Sequence, residues 1–373
     1  MTRAHLRLLA CAWLGGLLAC PSPPGGDDAP NDAGASLGSD ALDASRARMC
    51  APASFDPLLQ QGEAVALPPE MSSPVALAFS PSGAGYLLAL EGLWRWDPGS
   101  TPAFTRLTDD VGALPGYQFQ IALEVHDDAH VYWNQGGTIR GWEKGAIVDH
   151  FVGHDDALLD VLAVSPRELW AAGYGGALLH EVDGVVEAID LVSTIEPRPD
   201  DAQLELWDLE PIPGGIAVVG TGSGVFGTLT GTVGVLGVMR EGDWRAGAVD
   251  TRPAFGFLNF AAPTCGGEGL ALGGDFALHG YVTFDHEYTH FLGGGLEHDL
   301  LISSVVETCG GITYIGTGVP SGPSLIAEID DDPPGLSRTD DQVPGFLFDA
   351  ACHDGRLYYL DAATAPPSIR RYR

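Results

Sequence analysis

One phrase recurs along this chain and limits what it can fold into. It reads VALAFSPSGAGYLLALEGLWRW from Val75, IALEVHDDAHVYWNQGGTIRGW from Ile121 and VLAVSPRELWAAGYGGALLHEV from Val161, with further copies from Trp207, Asn259, Ser303 and Phe348. Each copy is a half-buried strand, a polar turn, a second strand of aromatic and β-branched residues, a glycine-rich bend and a third strand. The starts fall about 40 to 50 residues apart, the spacing of four-stranded propeller blades. Seven copies therefore predict an all-β, seven-bladed β-propeller. A sandwich of stacked sheets gives no reason for one phrase to recur so often. The 51 glycines and 27 prolines suit short strands joined by turns.

A short edge-like segment follows the third strand at 103–107, 146–152, 185–191, 244–249 and 288–292, with a weaker one near Leu336. The seventh copy reaches Arg373 without one. The stretch EAVAL at 63–67 is expected to supply it, so that the last blade is closed by an N-terminal strand and the ring is latched shut.

Arg3 and Arg7 precede an apolar run, Leu8 to Ala19, too short to span a bilayer. Leu17-Leu18-Ala19-Cys20 resembles a bacterial lipoprotein signal. That resemblance implies that residues 1–19 are removed and that Cys20 is lipidated; an ordinary signal peptide cut near Cys20 is the alternative, and both export the chain. Residues 20–49 are nearly devoid of large apolar side chains and are expected to form a disordered tether. The propeller then occupies 50–373. From Glu63 onward the strand pattern resembles β-propeller lipoproteins in general, without a WD dipeptide or an Asp-box. The expected location is the bacterial cell envelope, periplasm or surface, with the lipid anchor as the sole membrane attachment.

The net charge of −32, from 50 acids against 18 bases, repels a nucleic acid duplex or an anionic lipid surface. Nucleic acid is excluded as a partner on that ground, and cations, basic proteins and glycans remain. Acids gather in segments expected to join one blade to the next: Asp109 and Asp110, Asp155 and Asp156, Asp200 and Asp201, Glu297 and Asp299, Asp340 and Asp341. Clustered on one face they would attract cations or a basic partner, although aspartate also favours turns for its own backbone hydrogen bonds. No cofactor is expected. Calcium is the ion such hard oxygen donors would select.

Cys50, Cys265, Cys309 and Cys352 form an even set that an oxidising compartment can pair. The last three each end a first strand, in APTCGG, VETCGG and AACHDG. Equivalent points on adjacent blades are expected to exceed the limit of about 7 Å between bridged α-carbons, so Cys50, just ahead of the latch, is expected to reach Cys352. The tryptophans on second and third strands are expected to pack between blades.

HEYTH at 286–290 spells a zinc signature in which His286 and His290 share a helical face. A third ligand, His298, comes two residues late for the metzincin spacing, and the flanks GYVTFD and FLGGG cannot form an amphipathic helix. The motif coincides with the turn between third and fourth strands, so a solvent-facing hairpin is expected; adventitious zinc binding by the three histidines is the lesser alternative. GSGVFG at 222–227 matches a dinucleotide fingerprint, but strand residues follow it where a helix is required. With no nucleophile, base and oxyanion donor assembled, the expected function is an envelope binding or scaffolding module for a protein, glycan or cation. A hydrolase or lyase working at the channel mouth, or a zinc metalloprotease, are the alternatives.

Overall fold

The computed structural model describes residues 39–53, 58–59, 63–114, 121–195, 200–250, 258–266, 268–274, 279–290, 302–318, 324–331, 334–343, 347–362 and 364–372. They form seven four-stranded antiparallel sheets. The inner strands are Pro74–Phe79, Leu123–Asp127, Leu158–Ser165, Asp200–Ile212, Leu258–Pro263, Ile302–Cys309 and Leu347–His353, for blades 1 to 7 in that order. Each packs on the inner strands of both neighbours, and the strand of blade 7 packs on that of blade 1, so the ring is closed. The closing blade runs Ala64–Ala66, Ser368–Arg371, Arg356–Asp361, Leu347–His353. Val65 lies opposite Ile369. Both ends of the chain thus share one sheet, as the missing fourth strand foretold.

Burial follows the radial position. The second strand of blade 1, Gly85–Ala89, is buried along its whole length, because a neighbouring blade covers each face and both faces must then be apolar. The outer strand Val185–Ala188 is exposed throughout. Trp96, Trp133 and Trp170 are buried and fill the space between blades.

One helix departs from the all-β plan. The segment expected to be a tether up to residue 49 includes α1, Ser39–Cys50. It earns its order from tertiary contacts, since so short a helix is marginal alone. Leu42, 2 % exposed, enters the apolar cluster of Leu162, Leu209 and Ile216. Asp43 Oδ1 accepts from Gly214 N at 3.3 Å, and Met49 O accepts from Gly310 N at 2.7 Å. Cys50 is bonded to Cys265. Gly355, at φ 67°, comes so near the chain after α1 that a β-carbon there would lie 2.6 Å from Ala53 N. Gly214, Cys265, Gly310 and Gly355 all belong to turns between first and second strands, in blades 4 to 7. The helix therefore crosses the mouth of the central channel on that face.

The cysteine pairing differs from expectation. The bridges are Cys50–Cys265 and Cys309–Cys352, not Cys50–Cys352. Cys309 and Cys352 end adjacent inner strands, and their α-carbons are 5.3 Å apart. Blades converge toward the axis, so equivalent points that are far apart at the rim are within bonding reach at the channel.

Candidate functional site

The first strand of every blade is an edge strand, and part of its backbone polar groups face the channel without a ladder partner. Six of the seven inner strands add a β-bulge, midway along Asp200–Ile212 between Leu206 and Asp208 and near the start of the others, between Leu158 and Asp160, Leu347 and Asp349, and at the matching places in blades 1, 5 and 6. In blades 3, 4 and 7 the residue after the bulge is an aspartate that satisfies the next strand. Asp160 Oδ2 accepts from Leu209 N at 2.7 Å, Asp208 Oδ2 from Ala261 N at 2.6 Å, and Asp349 Oδ2 from Leu77 N at 2.7 Å. The acceptor is always one blade behind its donor. Two glutamates do the same work nearer the turns: Glu307 Oε1 accepts from Cys352 N at 3.3 Å, and Glu124 accepts from Ala163 N and Val125 N. The side chain of Glu210, two residues beyond Asp208, makes no hydrogen bond among the described residues.

These six carboxyls line one cavity of about 810 Å³ that every inner strand and α1 help to enclose. Their surfaces touch the channel, so each is only half-buried by area. Protein nevertheless surrounds them, and that low-dielectric enclosure governs their acidity. Burial raises the pKa of Asp349 and Glu124 to about 7, and Arg48 of α1 partly restrains the rise at Glu124. Burial and the Asp349 charge push Glu307 up to about 8. Burial and the Asp208 charge hold Asp160 well above the usual range, and burial raises Asp208 to about 6 against the bonds it accepts from Ala261 and Leu209 and the neighbouring Asp160 side chain. Burial, reinforced by Asp208 and Glu307, also holds Glu210 well above it. Burial depresses the two histidines in the wall, His126 and His353, which leaves them neutral at pH 7. Asn259, 8 % exposed and also in the wall, has its Oδ1 unpartnered.

The residues singled out from sequence lie elsewhere. Asp109, Asp110, Asp155 and Asp156 are exposed in the connections between blades 1, 2 and 3. Asp110 pairs with Arg140 at 2.8 Å, which also holds Asp149. Asp200 and Asp201 open the inner strand of blade 4, and Asp340 and Asp341 lie in the outer strand Pro334–Val343, so neither pair is in a loop. Glu297, Asp299 and His298 lie outside the described residues. HEYTH forms a hairpin turn and the strand Tyr288–His290. His286, at φ 68°, is half-buried rather than solvent-facing: its Nε2 hydrogen-bonds Leu236 O at 3.1 Å in the preceding blade. A docked turn residue of this kind cannot share a helical face with residue 290. GSGVFG lies in the second strand of blade 4, Gly215–Phe226, and the bend after it. Among the described residues no three His, Cys, Asp or Glu side chains converge as a metal site.

The channel acids did leave a signal. LLD at 158–160, LWD at 206–208 and LFD at 347–349 repeat one L-x-D phrase at one place in three copies.

The chain matches no protein-family model and no curated protein sequence. Its fold is similar to the extracellular domain of the putative one component system BT4673 from B. thetaiotaomicron, with a TM-score of 0.57, 11% identity, and coverage of 84% of this chain but 40% of that one. It is similar to streptogramin B lyase at a TM-score of 0.54 and 12% identity, over 83% of this chain and 97% of that one. YCF48 bound to D1 peptide gives 0.55 and 12%, over 87% and 98%. Identities this low establish a shared β-propeller architecture, within which a lyase and a peptide-binding protein both occur.

Proposed function

We propose that the protein is a lipid-anchored binding propeller of the bacterial envelope whose ligand enters the carboxylate-lined channel. Since the fold serves both catalysis and binding, the site has to decide. The observation that carries the reading is how the channel carboxyls are employed. Five of the six accept backbone N–H groups, and all five tie one blade to the next with the same bond from carboxylate to strand. They act as a rigid, polar wall around a cavity large enough for a small ligand. The anchor at Cys20 and the tether that follows it would hold the propeller at a membrane.

A photo-reactive residue at Ala122, in the cavity wall, tests this in intact cells. The reading expects an envelope molecule captured there and none at Val186, which is 46 % exposed on the outer strand of blade 3. Equal capture at both positions, or none at Ala122, would overturn it. Palmitate labelling that is lost in Cys20→Ala is expected alongside.

A second reading, a lyase, is favoured by Glu210. An unpaired carboxyl whose burial holds its pKa well above the usual range suits a general acid. Turnover of streptogramin B that disappears in Glu210→Gln would support it, and no turnover at all would remove it.

A further inference from the structure

Among the described residues three polar groups in the channel wall have no partner, the Glu210 carboxyl, Asn259 Oδ1 and Trp207 Nε1, and the two acceptors among them ask for the same kind of ligand. The Glu210 carboxyl makes no hydrogen bond among the described residues, whereas the other channel carboxyls do. The Asn259 side chain is 8 % exposed, and its Oδ1 meets no donor, although a buried amide oxygen left unpaired costs about 1–3 kcal/mol. A half-turn of that amide would exchange its oxygen and nitrogen, so the group it offers is set by the orientation a ligand selects. Most of the remaining polar wall is also made of acceptors, with Ser80 and Trp207 adding neutral donors. No positive charge from the blades offsets it, because His126 and His353 stay neutral. The counter-charge present comes from α1, where Arg48 lines the same cavity and acts on Glu124. The chain thus already sets one guanidinium against this wall.

We propose that the channel takes a small organic cation with two or more amine groups, anchored by Glu210 and Asn259 and balanced by the carboxyls that link the blades. The inference rests on the binding reading above and specifies its ligand. An elongated amine fits the geometry better than a bare metal ion: the acids are spread around a cavity of about 810 Å³ instead of converging on one point. Ammonium groups supply the donors that Glu210 and Asn259 lack. Their charge also favours the ionised carboxylates, so binding expels protons. The groups facing Glu210 are Asp208, Glu307, Asp160 and Glu124; Asp349 stands beside Glu307, and Arg48 beside Glu124.

The test is calorimetric titration of the full chain with spermidine at about 0.15 M salt, where surface counter-ion association is largely screened. Single-site binding with proton release is expected at pH 7.5, read from the difference between phosphate and Tris buffers. Affinity is expected to fall at least about tenfold in Glu210→Gln, in Asn259→Leu, and in the unaltered protein at pH 5.5, where the carboxyls hold their protons. Glu187→Gln removes an equal charge from the exposed outer strand of blade 3 and should change nothing. Melting curves establish that the variants fold. Spermidine binding that ignores both channel substitutions overturns the proposal, as does binding without proton release. If spermidine fails to bind while the Ala122 cross-linker still captures a molecule, the amine is wrong and the binding reading stands. Failure of both removes both.

Discussion

Glu307 shows what a single channel residue contributes and costs. Its Oε1 satisfies Cys352 N, which would otherwise be an unpaired donor on an inner edge. Its charge is held in a low-dielectric enclosure beside Asp349, which raises its pKa to about 8. The folded protein therefore binds more protons than the unfolded chain, whose carboxyls titrate near about 4. Stability from this group is fully present below that value and is lost as pH rises through the folded one. His150 acts in the same direction. Burial opposes its charge, but hydrogen bonds of 2.8 Å to Glu181 and Glu143 outweigh burial and raise its pKa, so its contribution also fades as pH rises. Glu307→Gln keeps the acceptor and removes the charge. It is expected to raise Tm at pH 8 by at least about 2 °C, the shift from about 1 kcal/mol in a domain of this size, and to leave Tm at pH 4 unchanged. Scanning calorimetry at the two pH values checks this, and an equal effect at both would assign the change to packing.

At the scale of elements, the latch strand Ala64–Ala66 and α1 fasten the molecule in different ways. The latch covers the edge of Ser368–Arg371. Neighbouring residues of a strand alternate in the direction of their N–H groups, so Val65→Pro with Ala66→Pro must break a ladder bond. The pair is expected to cost about 3 kcal/mol or more and to produce concentration-dependent self-association through the uncovered edge, measured by melting and size-exclusion chromatography. A monomer of unchanged Tm would mean that the latch is dispensable. The helix depends on Cys50–Cys265 and on few apolar contacts besides Leu42. In Cys50→Ser with Cys265→Ser, amide exchange over Ser39–Cys50 should quicken while the inner strands stay protected; unchanged protection would show that packing alone seats it.

The latch was legible because seven copies of one phrase make a missing fourth strand visible. The outer strands Phe104–Thr108, Ala146–His150 and Asp243–Val249 fall where the repeat puts them. α1 was not legible, since its sequence carries little apolar character and its order comes from turns distant along the chain. Nor was the destination of Asp160, Asp208 and Asp349. An acid in an apolar strand reads as a solvent-facing residue, and only ring closure turns that edge toward a shared interior. The same convergence explains why Cys309 reaches Cys352.

For the whole molecule, a net charge of −32 sets outward repulsion against a ring held by apolar blade faces and by carboxylates bonded across the gaps. Keeping protons on the innermost acids is what makes the arrangement tolerable near neutrality, and releasing them is what a cationic ligand would exploit. That claim is tested most directly by counting the protons released on unfolding at pH 7 in weakly buffered solution. The unaltered protein should release about one more than the Glu307→Gln variant, because burial and the Asp349 charge raise Glu307 to about 8 and it enters unfolding protonated. Equal release from the two proteins would mean that the channel acids are ionised like ordinary surface carboxylates, contradicting the account.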